Sequence, residues 1–255
     1  LFIKIGVNMR LIIIGCEYSG TTTLSFELAK WGKENFIDKK KENPGNQWNL
    51  NAFHDHWKIP HLNNFVVPNN VDEEKSIISE FPDSARGDWS RTGLTEEEQN
   101  MVLELSPRLK EMFQRYHLEY HLQKAFYKNK HHIMVGAHIE EGIYAPLYFE
   151  YGGPGQYADR NITMRNYEKQ ILEMAPDTIL ILVKATPEII KKRMIEFPHN
   201  KSLLKEQDIE YVLNRFEEEY KKSLIKHKIC INTTTNSIQE SFVELINKVS
   251  SYISL

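Results

Sequence analysis

The sequence predicts a three-layer α/β/α fold in which about five parallel strands form one sheet between two layers of helices. Three observations carry this prediction. Apolar runs of strand length alternate with amphipathic segments of ten residues or more, which is typical of βαβ units. The apolar runs are continuous rather than alternating, as expected of strands buried on both faces. The length of 255 residues, with 41% hydrophobic and 26% charged residues, fits one globular domain with an insertion.

The elements are placed by apolar periodicity and by helix-start signals. In chain order the sequence predicts strand 10–15, helix 21–31, a short strand before Asp55, a helical stretch at 95–127, strand 132–137, helix 163–174, strand 178–183, a helix from 186, helix 208–225, strand 228–231 and helix 237–252. Thr186 followed by Pro187, and Ser237 paired with Glu240, are typical of helix starts. The helical residues from about 80 to 130 are predicted to form an insertion, so that 1–255 is a single domain.

A phosphate-binding loop is predicted where the first strand meets the first helix. Gly15 and Gly20 have the G-x-x-x-x-G spacing, and the hydroxyl residue Thr22 follows. Glycines let backbone N–H groups curl around phosphate oxygens, and the helix N-terminus adds a favourable field. The Thr22 hydroxyl is placed to ligate Mg²⁺ held on the β- and γ-phosphates. The residues assigned to nucleotide binding in this loop are Gly15, Glu17, Ser19, Gly20, Thr21, Thr22 and Thr23.

The loop departs from the usual pattern at one position, because Thr21 stands where the motif has lysine. It therefore lacks its own point charge for the phosphates. Two glycines and a threonine also occur in βα turns of other α/β folds, so the loop taken alone leaves that alternative open.

A second segment, residues 176–193, resembles the fourth strand and following helix of thymidylate kinases and deoxynucleoside kinases. It has Pro-Asp, an apolar strand, Pro-Glu and then an arginine. Glu17 matches the acidic residue inside thymidylate kinase phosphate loops, where it faces the acceptor nucleotide. The resemblance covers about 9–35 and 130–255. It implies a P-loop kinase fold that uses ATP and Mg²⁺ to phosphorylate a nucleoside, a nucleotide or a similar small hydroxyl compound.

The resemblance also implies two catalytic carboxylates. Asp55, two residues before Trp57, is similar to the deoxynucleoside kinase carboxylate that acts as base on the acceptor hydroxyl. Glu140 follows the third predicted strand, and a carboxylate there can orient the water molecules of Mg²⁺; Glu141 is the second choice. These families carry an arginine at that place, which this sequence lacks. The alternatives are a solvated or capping role for Asp55 and a helix-dipole role for the two glutamates.

Cations are needed to neutralise the transferring phosphoryl group. The resemblance places a lid at about 193–204, with Arg193 and Lys201 as candidates. Lys184 ends strand 178–183, which lies beside the first strand in these kinases, so its ammonium could replace the missing loop charge. The alternative is that Lys184 reaches solvent past the strand end. Other arginines considered for phosphate contacts, with a surface role as the alternative, are Arg108, Arg115 and Arg160.

Composition limits the remaining classes of function. A net charge of −3 and a pI of about 6.4 argue against nucleic acid as a partner. There is no apolar run long enough for a membrane span. The two cysteines, Cys16 and Cys230, show no disulfide or zinc spacing, which favours a cytoplasmic location. A homodimer is compatible with the sequence, which does not define the oligomeric state.

Two functional hypotheses follow. The leading one is an ATP-dependent kinase with a small-molecule acceptor. The alternative, motivated by Thr21, is a degenerate nucleotide-binding protein with a regulatory or structural role.

Overall fold

The sheet is built from parallel strands in the order β2-β3-β1-β4-β5. The structure, a computed structural model, describes residues 9–36, 49–51, 96–122, 124, 127, 131–199 and 202–253. The strands in this part of the chain are β1 Met9–Ile14, β2 Asn49–Asn51, β3 His131–Val135, β4 Ile179–Lys184 and β5 His227–Asn232. The predicted α/β class is confirmed, and β4 lies beside β1 as expected.

Helices connect the strands and cover both faces of the sheet. Their bounds are α1 Thr21–Phe36, α2 Glu96–Glu104, α3 Pro107–Tyr120, α4 Ala137–Tyr148, α5 Arg160–Met174, α6 Pro187–Glu196, α7 Ile209–Lys222 and α8 Ile238–Ile253. A short 3₁₀ turn, Glu206–Asp208, precedes α7. Of the predicted lid, 193–196 form the last turn of α6, and we call the described residues that follow, 197–199 and 202–204, the lid loop.

Two helices start where the capping signals predict, at Thr186 and at Ser237, although the Thr186 side chain makes no capping hydrogen bond. The Ser237 hydroxyl accepts a hydrogen bond from the N–H of Glu240 (3.2 Å), and the Glu240 carboxylate accepts one from the N–H of Ser237 (2.8 Å). This is a complete capping box. Helix α5 begins three residues earlier than predicted because Asp159 acts as its N-cap and accepts from the N–H of Asn161 (2.9 Å).

The strand side chains divide into two cores by strict alternation. In β4, Ile179, Ile181 and Val183 pack with Leu24 of α1 and with α8. Leu180 and Leu182 face the opposite way and pack with α4, α5 and α7. Side chains alternate along a strand, so every second residue has the same parity and faces the same side of the sheet. The parity of a residue at the end of a strand therefore decides which side its side chain can reach.

The inserted helices dock onto the rest of the fold through a buried ionic cluster. Arg160 donates to Glu141 (3.1 Å) and to Glu111 of α3 (3.3 Å), and all three side chains are at most 3% exposed. The Tyr151 hydroxyl donates to the same Glu141 carboxylate at 2.5 Å. A buried guanidinium is tolerable only with such partners. The cluster therefore fixes α3 against α4 and α5.

These contacts correct the phosphate-contact hypothesis for three arginines. Arg160 is held inside the cluster, and Arg115 pairs with Glu111 (3.2 Å). Arg108 lies over the ring of Tyr157, 5.4 Å from its centroid. All three arginines therefore help to pack the inserted helices against the rest of the fold.

Within the described ranges, no helix combines the length and apolarity needed to cross a bilayer.

Candidate active site

A pocket of about 430 Å³ opens where the phosphate loop (residues 15–22) joins β1 to α1. Six parts of the chain contribute to it. They are the phosphate loop with the first residues of α1, Glu140 of α4, Arg193 of α6, Phe197 and His199 of the lid loop, Thr233 and Asn236 after β5, and Ile238 and Ser241 of α8. The pocket lies at the carboxyl ends of the strands, which is where open parallel sheets bind ligands.

The phosphate loop is tightly constrained by its two glycines. A Cβ atom on Gly15 would lie 2.5 Å from the Val183 carbonyl oxygen, so the loop passes too close to β4 for any side chain there. Gly20 has φ +101°, a conformation that other residues rarely adopt. A Cβ on Gly20 would meet nothing nearer than the Thr233 methyl at 3.9 Å. Backbone conformation, rather than protein packing, is therefore the reason for glycine at position 20.

The loop carbonyls are held from outside the loop. The Ser19 carbonyl accepts hydrogen bonds from the Thr233 hydroxyl (2.7 Å) and Arg193 (3.3 Å), and the Tyr18 carbonyl accepts from Arg193 at 2.9 Å. The N–H of Gly20 belongs to the same planar trans peptide as the Ser19 carbonyl and points the opposite way. Because the Tyr18 and Ser19 carbonyls are engaged in these hydrogen bonds, the N–H groups of the loop can be offered to an anion. The open loop is therefore suited to a nucleotide phosphate.

Arg193 is the cation that the structure brings to the phosphate loop. Besides the loop carbonyls, its guanidinium donates to the Thr233 hydroxyl (3.1 Å) and the Thr233 carbonyl (2.8 Å). Burial lowers the pKa of Arg193 from its ordinary value, yet a guanidinium stays protonated in proteins. A permanent positive charge therefore lies against the phosphate loop, in which Thr21 stands in place of lysine.

Lys184 does not take that place, which corrects the expectation for this residue. Its ammonium pairs with the Glu217 carboxylate of α7. The hydrogen bond and charge of Glu217 raise the pKa of Lys184 and outweigh its partial burial. Lys184 has the same parity as Leu182, so its side chain emerges on the α7 side of the sheet. Only its carbonyl approaches the site, accepting from the N–H of Thr233 at 2.8 Å.

The two adjacent glutamates of α4 have separate destinations. Glu140 is in the first turn, is 7% exposed and lines the pocket. Glu141 is taken up by Arg160 and Tyr151, as described above. The structure thus places Glu140, rather than Glu141, beside the phosphate loop.

The interior of the loop is sealed by Cys16 and Tyr144. Burial, with the neighbouring Glu17 charge, raises the pKa of the Cys16 thiol, so it is not a nucleophile at neutral pH. The Tyr144 hydroxyl accepts from the N–H of Glu17 at 3.2 Å. Tyr144 stacks on Tyr148, with 5.8 Å between centroids, and is 1% exposed. Tyr144 therefore packs in the core and supports the backbone of the phosphate loop.

A second buried network fixes the start of α4, two residues before Glu140. His138 Nε2 lies 3.4 Å from Glu168 of α5, and both side chains are at most 2% exposed. Glu168 also accepts from Arg165 (2.6 Å) and from the N–H of Leu224 (2.8 Å). Burial by itself would raise the pKa of Glu168, but the hydrogen bond and charge of His138 and the Leu224 N–H lower it to about 2.

This network predicts a loss of stability in acid. A carboxyl whose folded-state pKa lies below its unfolded value of 4.5 stabilises the fold above that value, and the contribution disappears as the pH falls toward 2. We expect about 3 kcal/mol to be lost between pH 5 and pH 2. Urea unfolding of Glu168→Gln should show a flatter pH dependence than the parent. Glu173→Gln, on the same helix but exposed, is the control, and parallel curves for parent and Glu168→Gln would contradict the assignment.

The remaining predicted residues divide into three groups. Thr21, Thr22 and Thr23 line the pocket at the start of α1, and Thr22 is half-buried there. Glu17 also lines the pocket, although its carboxylate contacts the lid loop. Asp55 and Lys201 lie outside the residues that the structure describes.

Sequence reasoning missed the supporting roles of Tyr18, His199 and Thr233. The Tyr18 ring stacks on His199, with centroids 4.0 Å apart, and Thr233 links the phosphate loop, Arg193 and the end of β4. The only signal available for Thr233 was its place in a polar run directly after a predicted strand. Nothing in the sequence pairs Tyr18 with a residue 181 positions away.

The parallel sheet, its two helix layers and the phosphate loop at its carboxyl edge define a three-layer α/β/α fold, and solved structures of kinases share it. The chain is similar to deoxyadenosine kinase from M. mycoides with bound dCTP, at a TM-score of 0.51 and 17% identity, covering 95% of this chain and 100% of that one. The structure of that kinase with bound dATP gives 0.50 and 15%, at the same coverage. Thymidylate kinase from Candida albicans gives 0.49 and 14%, covering 96% and 92%. No family profile and no curated protein matches the sequence. At such identities the similarity establishes the fold alone.

Proposed function

We propose that the protein is an ATP-dependent phosphotransferase that moves the γ-phosphoryl group to the hydroxyl of a nucleoside, a nucleotide or a similar small acceptor. One observation carries this proposal. The phosphate loop, a carboxylate from the neighbouring strand end and a permanently charged guanidinium converge on one pocket. The bound dCTP and dATP of the M. mycoides kinase support a nucleoside or nucleotide as the class of acceptor.

The described residues have distinct roles in this proposal. The backbone of the phosphate loop binds the phosphates of ATP. Thr22 is the proposed ligand of Mg²⁺, which would neutralise charge on the β- and γ-phosphates when bound. Glu140 orients water molecules around that ion. Arg193 keeps the loop in its binding conformation and adds positive charge, which favours the loose, highly anionic transition state of phosphoryl transfer.

The base is assigned from the sequence. Asp55 is our candidate for accepting the proton of the acceptor hydroxyl as the phosphoryl group arrives. It follows the short strand β2, whose last residue is Asn51, by four positions in the sequence. Strand β2 is next to β3, whose following helix carries Glu140, whereas the role of Asp55 rests on the family resemblance alone.

The test is a direct assay for transfer. The protein is incubated with ATP and Mg²⁺ and with a panel of deoxynucleosides, nucleosides and their monophosphates, and both ADP and phosphorylated acceptor are measured. We expect ADP and product in equal amounts with at least one acceptor. Nucleotide binding without transfer to any acceptor would contradict the kinase proposal and support a non-catalytic nucleotide-binding role.

A further inference from the structure

We propose that Glu17 is a positioning residue that holds the lid loop over the phosphate loop. The Ser202 hydroxyl donates to one oxygen of the Glu17 carboxylate at 2.7 Å. The N–H groups of Leu203 and Leu204 both donate to the other oxygen at 3.2 Å. The Glu17 side chain is 16% exposed. Three donors on a largely buried carboxylate form charge-assisted hydrogen bonds, which are stronger than neutral ones.

The residue after Glu17 holds the other end of the lid loop. The Tyr18 ring stacks on the imidazole of His199 at 4.0 Å, and the Tyr18 hydroxyl accepts from the N–H of His199 at 3.1 Å. Tyr18 has φ +65°, which is uncommon for an aromatic residue. The surrounding structure must hold Tyr18 in this strained backbone conformation, and the contacts of Tyr18 with the lid loop do so.

A third set of contacts connects the residues directly after the lid loop to α4. The Tyr148 hydroxyl accepts from the N–H of Lys205 (3.3 Å) and donates to Asp208 (3.0 Å). Tyr148 stacks on Tyr144, whose hydroxyl accepts from the N–H of Glu17. The phosphate loop, the lid loop and α4 are therefore one hydrogen-bonded unit, with Glu17 at its centre.

This arrangement gives Glu17 a different task from the one that the family resemblance implies. There the acidic residue of the loop faces the acceptor, whereas here the described contacts of its carboxylate are with the lid loop. A lid held in this way excludes water from the phosphates and commits ATP to transfer rather than hydrolysis. Only this effect on catalysis rests on the proposed function. The contacts between Glu17 and the lid loop are present without any ligand.

The first experiment therefore uses the full chain without any ligand. Hydrogen exchange of the peptide containing Leu203 and Leu204 is followed by mass spectrometry in the parent, Glu17→Ala and Glu17→Gln. Loss of the carboxylate should speed exchange of these amides by about tenfold or more, because each amide then loses a charge-assisted hydrogen bond. Glu17→Gln should be intermediate, since its amide oxygen can still accept. Glu27→Ala, on α1 outside the pocket, is the matched control. Unchanged exchange in Glu17→Ala would overturn the proposal, whether or not the protein is a kinase.

The second experiment separates positioning from acceptor binding. Ser202→Ala removes one donor to Glu17 without altering the phosphate loop. If Glu17 acts through the lid loop, Glu17→Ala and Ser202→Ala both raise ATP hydrolysis relative to transfer, and the double variant is little worse than Glu17→Ala. Glu17→Gln then recovers part of the coupling between ATP consumption and phosphoryl transfer. A raised KM for the acceptor in Glu17→Ala, with Ser202→Ala unchanged in every respect, would instead place Glu17 on the acceptor and refute the lid role. Thermal unfolding of each variant verifies that the fold is retained.

Discussion

Gly20→Val should abolish nucleotide binding. Valine at φ +101° is strained because the β-branched side chain collides with its own backbone. Relaxing that strain would rotate the peptide whose carbonyl is held by Thr233 and Arg193, and with it the N–H groups offered to phosphate. The new methyl groups would also occupy the pocket that Gly20 lines. We expect the Kd for Mg·ATP, measured by calorimetry, to rise by at least about 100-fold, which corresponds to some 2.7 kcal/mol.

The control for this substitution is Gly155→Val. Gly155 also has positive φ, +73°, and a Cβ there would meet nothing within 4 Å. It is exposed in the turn before α5 and does not line the pocket. The two variants share the backbone strain but differ in position, so Gly155→Val should lose stability and keep its nucleotide affinity. If Gly20→Val binds Mg·ATP as the parent does, the phosphate loop is not the nucleotide site.

Arg193→Met should lower kcat/KM for phosphoryl transfer by about 10²–10³-fold, the usual effect of removing one preorganised donor from a charged transition state. Methionine retains much of the side-chain volume but gives up all four hydrogen bonds to the phosphate loop and Thr233. We also expect weaker binding of ATP and ADP, with little change for adenosine, because the lost charge acts on phosphate. Steady-state kinetics and calorimetry on the same preparation measure both effects.

Two further variants sharpen this prediction. Arg193→Lys should restore only a small part of the activity, since one ammonium cannot reproduce a guanidinium that bonds Tyr18, Ser19 and Thr233 together. Lys184→Met should leave nucleotide affinity near the parent value, because its ammonium is paired with Glu217. Equal losses of ADP affinity in Lys184→Met and Arg193→Met would show that the two cations share the phosphate.

The position of Lys184 could have been predicted from the alternation of side chains along β4. The apolar run at 178–183 correctly predicted β4, and the family order correctly predicted its neighbour β1. Parity along β4 then assigns Lys184 to the face of Leu180 and Leu182, while α1 packs on the face of Val183. The fact that two strands are neighbours is thus insufficient to predict which side chains meet, because alternate residues of the same strand lie on opposite faces of the sheet.

Other parts of the site could be predicted because their chemistry is local. The phosphate loop is contiguous, and Glu140 follows directly on a strand, so spacing alone places both at the carboxyl edge of the sheet. Arg160 shows the opposite case. Its partners Glu111 and Glu141 come from α3 and α4, and no spacing rule connects residues that only the docking of an insertion brings together.

Thiol chemistry offers a final consequence of how the phosphate loop is packed. The chain has two cysteines, and Cys16, between Gly15 and Glu17, is completely buried with a raised pKa. Electrophiles and oxidants react with exposed thiolates, so this loop is protected although it contains a sulfur atom. Cys230, on strand β5, is only partly buried, although burial raises its pKa as well. A maleimide dye would therefore react with Cys230 before it reacts with Cys16 in the folded protein.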